Sequence, residues 1–206
     1  MKIDLHVHTR DYSACGRSPA EEQIEAAIGA GLDAIVFADH DTLFPLARIR
    51  EFNRRYAPFR TFSGIEMSVI GGEHLLVLGV HDDMLERRRW RYPDLHAFIL
   101  QQGGFMALNH PFRFHPNIEI EHEQFPPDAV EAFSNNITAA LQGRIVRLAQ
   151  RLGLPVLSNS DAHHRSGLGR HYNVLARIPK DEQELLAMLK AGEFHCIAPQ
   201  EITSCP

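Results

Sequence analysis

The sequence predicts an α/β fold built on a mainly parallel sheet or barrel. Short apolar, β-branched segments alternate with longer helical ones along the whole chain, the pattern of successive βαβ units. No internal repeat, low-complexity tract or evident linker interrupts that alternation. The 206 residues, 44% hydrophobic and 23% charged, suit a soluble protein with a sizeable core. One domain over residues 1–206 is the expectation.

Taken in order, the strand candidates are Ile3–Val7, Ala34–Ala38, Thr61–Ile65, Leu75–Val80, Phe105–Leu108, Ala129–Phe133 and Pro155–Leu157, followed by Asn173–Ile178 and His195–Ala198. Helix candidates lie at about 19–30, 43–55, 93–102, 137–152 and 181–191. The first helix carries Ser18 as its expected cap, Pro19 at its first position and Glu21 three residues after the cap. Gly31 is placed to end it. Asp181 with Glu184 repeats the opening pattern before Leu185, Leu186 and Leu189. Phe112 to Pro127, rich in proline, histidine and glutamate, is the expected long loop.

Twenty-one basic residues against 26 acidic ones give a formal charge of −5, which argues against broad electrostatic capture of nucleic acid. Cys15, Cys196 and Cys205 form no CxxC pair, and three cysteines close no disulfide framework. The residues after Met1-Lys2 contain no signal-peptide core, and no apolar run reaches membrane-spanning length, so a cytoplasmic protein without a membrane partner is expected.

Histidine stands out, with 13 residues and no polyhistidine run. Their positions matter more than their number. His6 and His8 end the first strand, and alternation of period two puts both on one face. Asp39 and His40 end the second strand, Glu66 the third and His110 the fifth, while Asp161 and His163 follow the seventh. His74 differs in preceding its strand. Parallel α/β folds gather active sites at the C-terminal ends of strands, and imidazoles and carboxylates meeting there can hold Zn²⁺, Mn²⁺ or Fe²⁺. Each piece has a plain structural explanation when taken alone: a turn at Asn109-His110-Pro111, a helix cap at Asp161, an exposed strand end at Glu66. Chance would have to place such a residue at one strand end after another independently, and metal binding explains them together.

In this order the residues resemble the PHP family (polymerase and histidinol phosphatase domains). The resemblance rests on Asp4-Leu5-His6-Val7-His8-Thr9, Ala38-Asp39-His40-Asp41-Thr42, Gly64-Ile65-Glu66, His74 before Leu75–Val80, Asn109-His110-Pro111 and Ser160-Asp161-Ala162-His163. It implies a distorted (β/α)7 barrel of seven parallel strands with a cluster of two or three divalent metal ions (Zn, Mn or Fe) at its mouth. By the same resemblance His6, His8, Glu66 and Asp161 hold one ion, and Glu66, bridging, holds a second with His74 and His110. A third falls to His40, His163 and a ligand from the loop after the first strand. There the chain departs from related phosphoesterases, which have Ser-Asp-Gly: it reads Ser13-Ala14-Cys15-Gly16. Cys15 as a thiolate, which would favour zinc, and Asp11 are the alternatives, beside Cys15 as merely a small loop residue.

The implied activity is hydrolysis of a small phosphate mono- or diester by a metal-bridging hydroxide. Glu66 bridges, His163 or Asp161 delivers a proton to the leaving oxygen, and the planar fork of Arg113 reaches the substrate phosphate. Arg17 and Arg165 are lesser candidates. Asp4, on the face of His6 and His8, together with Asp39 and Asp41, is read as a supporting group. Alternatives are a histidinol-phosphate phosphatase, a nucleotide or oligonucleotide phosphoesterase and, from another class, a noncatalytic metal-binding PHP module.

Overall fold

The computed structural model describes residues 1–198; Cys205 lies outside them. Nine strands are present: β1 (Lys2–Val7), β2 (Ala34–Phe37), β3 (Arg60–Ser68), β4 (His74–Leu78), β5 (Phe105–Asn109), β6 (Ala129–Phe133), β7 (Val156–Ser158), β8 (Tyr172–Leu175) and β9 (Phe194–Ile197). Six helices accompany them: α1 (Ala20–Gly29), α2 (Leu46–Arg55), α3 (Met84–Arg87), α4 (Tyr92–Gln101), α5 (Ala139–Leu152) and α6 (Glu182–Lys190). The strands form one sheet in the order β7-β6-β5-β4-β3-β2-β1-β8-β9. It curls into a nearly closed barrel, with Val7 at the end of β1 bridged to Ala162, which follows edge strand β7. The α/β barrel read from the sequence is the fold observed.

Why the sheet curls is legible in its two faces. One apolar cluster draws on most of the strands, with Ile3, Leu5, Ala34, Val36, Phe62, Leu76, Leu78, Phe105, Ala107, Ala129 and Leu157, and fills the barrel. Leu185, Leu186, Met188 and Leu189 of α6 join that cluster and seal the end opposite the mouth. Outside, α1 and α2 cover β1 and β2, α4 covers β3 to β5 and α5 covers β6. Each fully buried Ile, Leu or Phe contributes roughly 1.5–3 kcal/mol by leaving water.

Three details differ from the sequence reading. First, β4 runs antiparallel to both β3 and β5, so the barrel is not wholly parallel. Residues 69–73, which join β3 to β4, are too few for a parallel crossover and make a hairpin. Second, the register of β1 against β2 shifts between Asp4 and Val7. Ile3 and Leu5 point into the barrel while Val7 points out toward α1, so Asp4 does not share the face of His6 and His8. Third, no side chain caps α1. Ser18 Oγ instead accepts from Arg165 N (3.2 Å), and the free amide of Ala20 goes to Asp11 Oδ2 (2.7 Å). The expected cap of α6 is present, Asp181 Oδ1 accepting from Glu184 N at 2.8 Å. No helix among the described residues is long and apolar enough to cross a membrane.

Candidate metal centre

The mouth of the barrel is built by strand ends. The ends of β2 and β3 are laced by Glu66 N to Asp39 O (3.0 Å) and Asp41 N to Glu66 O (2.9 Å), which brings His40 beside Glu66. Because β4 is antiparallel, its first residue, His74, lies at the mouth opposite Asn109 of β5. The position that looked exceptional in sequence is thereby explained. His110 follows with φ +28°, and Asp161 leaves β7 with φ +50°. Left-handed backbone at non-glycine residues costs about 1–3 kcal/mol each and gathers at functional sites; here it turns both side chains into the same space.

Glu66, fully buried, is the centre of the group. Its Oε1 stands 3.0 Å from His110 Nε2 and 3.4 Å from His74 Nδ1. Its Oε2 stands 3.3 Å from His6 Nε2, 3.2 Å from His8 Nε2 and 3.1 Å from His40 Nδ1. Asp161 Oδ1 lies 3.1 Å from His8 Nε2, 3.6 Å from His6 Nε2 and 3.5 Å from His163 Nδ1. Despite this crowd, Glu66 Oε2 and Asp161 Oδ1 are buried without an aligned hydrogen-bond donor. The ring nitrogens of His6 and His8 stand only 3.0 Å apart. Carboxylate oxygens and imidazole nitrogens converging on one space are the arrangement of ligands around cations. Three groups of donor atoms, each within a 4.8 Å span, emerge: His6, His8 and Asp161; His40, Glu66 and His74; and His8, Cys15, His40 and His163. The metal candidates read from the sequence are thus brought together, His110 through Glu66. Asp11 is not, its carboxylate being spent on α1.

Electrostatics tell the same story. Burial works to lower His6, but Glu66, Asp161 and Glu131 around it hold it well above the usual imidazole range. Against the same penalty, contacts with Asp161 and Glu66 raise His8. Burial would raise Glu66 and Asp161, yet His6 and its neighbours hold both carboxyls below their usual range. The surrounding carboxylates favour positive charge at this spot, as they would favour a bound cation. Burial lowers His40 to about 4 and also lowers His163, so both imidazoles are neutral and ready to ligate.

Around these residues stand supporting polar groups, of which the sequence reading named Asp4, Asp39, Asp41 and Arg113 but not Glu131, Asn136 or Asn159. Glu131, on β6, holds His6 Nδ1 at 3.0 Å and accepts from Asn159 Nδ2 at 3.0 Å. Asn109 Nδ2 donates to Glu66 Oε1 (3.0 Å). Asn136 Nδ2 donates to Asp161 Oδ2 (2.7 Å), where Arg113 Nη1 also lands (3.0 Å). Asp4 Oδ1 accepts from His6 N (3.1 Å) and Ser160 N (3.0 Å), fixing backbone rather than an imidazole. Asp39 binds Thr9 N and Oγ1, and Asp41 binds Ser68 N. An acid within the apolar strand Ala129-Val130-Glu131-Ala132-Phe133 was the one available signal for Glu131.

A cavity of about 400 Å³ opens beside Asp161 and His163, lined also by Cys15, Arg17, Arg113, Asn135, Asn136 and His164.

Residues 4–126 match the model of the PHP domain, more than half of the chain, and residues 142–194 match that described as PHP-associated. The chain belongs to the PHP family. Among solved structures, PsfC from Pseudomonas syringae superposes on this PHP protein with a TM-score of 0.70 at 19% identity, over 97% of this chain and 92% of that one. A two-domain protein from Bacteroides vulgatus, described as containing a predicted PHP-like metal-dependent phosphoesterase, gives 0.71 at 16% identity, over 96% and 64% of the two chains. The lesion-specific endonuclease PfuEndoQ from Pyrococcus furiosus gives 0.60 at 16% identity, over 95% and 57%. These likenesses establish a shared fold. No curated protein matches the chain. Within the PHP fold, the donor clusters at this mouth are able to bind metal.

Proposed function

We propose that the protein is a metal-dependent phosphoesterase acting on a small phosphate mono- or diester. One observation carries the reading: the two oxygens of Glu66 face different sets of imidazoles, Oε1 toward His74 and His110, Oε2 toward His6, His8 and His40. A carboxylate so placed is built to be shared between two cations. His6, His8, Asp161 and Glu66 would hold one; Glu66, His74 and His110 the other. Divalent ions there would make water nucleophilic near neutrality and take up charge on phosphoryl oxygens.

The chain's own residues supply the rest. Glu131 and Asn109 fix the orientation of His6 and Glu66 before substrate arrives. Arg113, tied to Asp161 and only partly buried, presents its remaining donors to the cavity, where a planar fork matches phosphate oxygens. The PHP family and the phosphoesterases and endonuclease among its structural neighbours support the class of reaction.

The test is hydrolysis of chromogenic phosphate mono- and diesters, nucleotides and histidinol phosphate by protein loaded with Zn²⁺, Mn²⁺ or Fe²⁺. Metal-dependent turnover of any of these esters supports the proposal. Absence of turnover with every ion across the panel refutes it, and metal uptake without turnover would favour the noncatalytic metal-binding reading.

A further inference from the structure

We infer that Cys15 joins His40 and His163 in a sulfur-containing zinc site bordered by His8, chemically distinct from the Glu66-centred positions beside it. The inference rests on the metal-centre reading above and concerns which ion each position accepts.

Cys15 does not stand alone. Its sulfur and one nitrogen from each of His8, His40 and His163 all fall within 4.8 Å of one another. His8 stacks between the other two rings, 4.6 Å from His40 and 4.2 Å from His163 by their centroids. Asp161 Oδ1, buried and without a donor, points at the same group from below.

The loop that carries Cys15 is fastened to these histidines on both sides. Before it, Ser13 Oγ accepts from His40 N at 3.0 Å and lies 3.4 Å from His8 Nδ1. After it, Arg17 N donates to His163 O at 2.7 Å. Between them Gly16 N closes a turn on Ser13 O at 3.0 Å. Gly16 packs so tightly that a Cβ there would fall 2.1 Å from Thr9 O. Cys15 is therefore placed by bonds to the very residues it would share an ion with.

Donor chemistry decides the ion. One thiolate and two imidazoles, with solvent in the fourth place, make a donor set of the kind that tetrahedral Zn²⁺ occupies. Manganese favours carboxylate and water, as at the Glu66 and Asp161 positions. The mouth thus offers a sulfur-containing position next to oxygen-rich ones, and they should fill with different ions.

Cobalt(II) reports thiolate ligation directly, through a sulfur-to-metal charge-transfer band in the near ultraviolet. Metal-free protein with Cys196 and Cys205 replaced by serine is titrated with Co²⁺, with and without the further change Cys15→Ser. The band should appear only with Cys15 present, and bound zinc should fall by one ion per chain in Cys15→Ser at limiting free zinc. Cys15→Asp should keep the count without the band and accept Mn²⁺ at that position. Alkylation of Cys15 should be slowed by zinc but not by Mn²⁺. No band, together with alkylation at the same rate with and without zinc, overturns the inference. These readouts are independent of turnover: a band without hydrolysis would refute the phosphoesterase reading alone, and hydrolysis without a band would refute this site alone.

Discussion

Glu131 Oε1 stands 3.0 Å from Nδ1 of His6 and turns the opposite ring nitrogen, Nε2, toward Glu66 and Asp161. Both residues are fully buried, so the imidazole has one available orientation. Glu131→Gln preserves the shape but weakens the acceptor. It should lower metal affinity by roughly 10–100-fold, the usual cost of losing a ligand's outer partner, measured by competition with a chromophoric chelator. An unchanged affinity would mean that packing alone orients His6.

Glu66→Ala removes the carboxylate whose two oxygens face separate imidazole sets. The variant should lose more activity than Glu131→Gln, beyond roughly 100-fold, and bind fewer ions per chain by elemental analysis. Wild-type turnover in Glu66→Ala would show that no carboxylate is shared.

Arg113 contacts Asp161 Oδ2 at 3.0 Å and flanks the cavity. A charge-assisted hydrogen bond is worth about 1.5–3 kcal/mol, so Arg113→Ala should reduce kcat/KM by roughly 10–100-fold. Arg113→Lys, which keeps the charge but not the fork, should recover only part of it. Full recovery by lysine would assign Arg113 a simple charge role.

Asp4 gives a pH signature. Burial raises its carboxyl from 3.8 to about 7. The folded protein therefore keeps a proton that the unfolded chain has already released. That contribution to stability is full below about 4 and is lost as pH rises through about 7, with roughly 4 kcal/mol as its upper bound. In metal-free protein, the stability of Asp4→Asn relative to wild type should rise across that window in urea unfolding. A difference that stays flat from pH 4 to 7.5 would show that Asp4 is ionised throughout.

Gly16→Ala would drive a Cβ to 2.1 Å from Thr9 O, a backbone atom that cannot step aside cheaply. Overpacking of this kind costs about 1–3 kcal/mol. The loop should shift and Cys15 lose its place, so thermal stability and cobalt-band intensity should fall together. If stability falls and the band survives, the loop is more forgiving than its contacts imply.

The site was legible in the sequence where chemistry coincides with a strand end. His6, His8, Glu66, His110 and Asp161 interrupt apolar segments at the positions where a barrel needs no side-chain packing. Less could be read where the signal was geometric. The direction of β4 was available in the short Gly71-Gly72 connection, which permits only a hairpin, but strand composition outweighed it. The face of Asp4 was lost because the register shift in β1 breaks strict alternation, and nothing local announces it. Glu131 and Asn136 serve residues far away in sequence, so neither forms a motif with its neighbours. The cap expected of Ser18 failed because a distant amide, that of Arg165, competed for its hydroxyl.

The barrel closes where His8 N donates to Ala162 O at 3.0 Å, and Asp4 reaches across the same seam to Ser160, 156 residues away. His8 belongs to the first strand and Asp161 to the segment after the seventh. A chain emerging from the ribosome displays His6, His8 and Glu66 long before Asp161 exists to join them. The complete ligand set can therefore assemble only in the last act of folding, when the two ends of the barrel find each other. An ion captured then clasps the beginning of the chain to its far side. Opening the seam would then break the ion's coordination together with these hydrogen bonds.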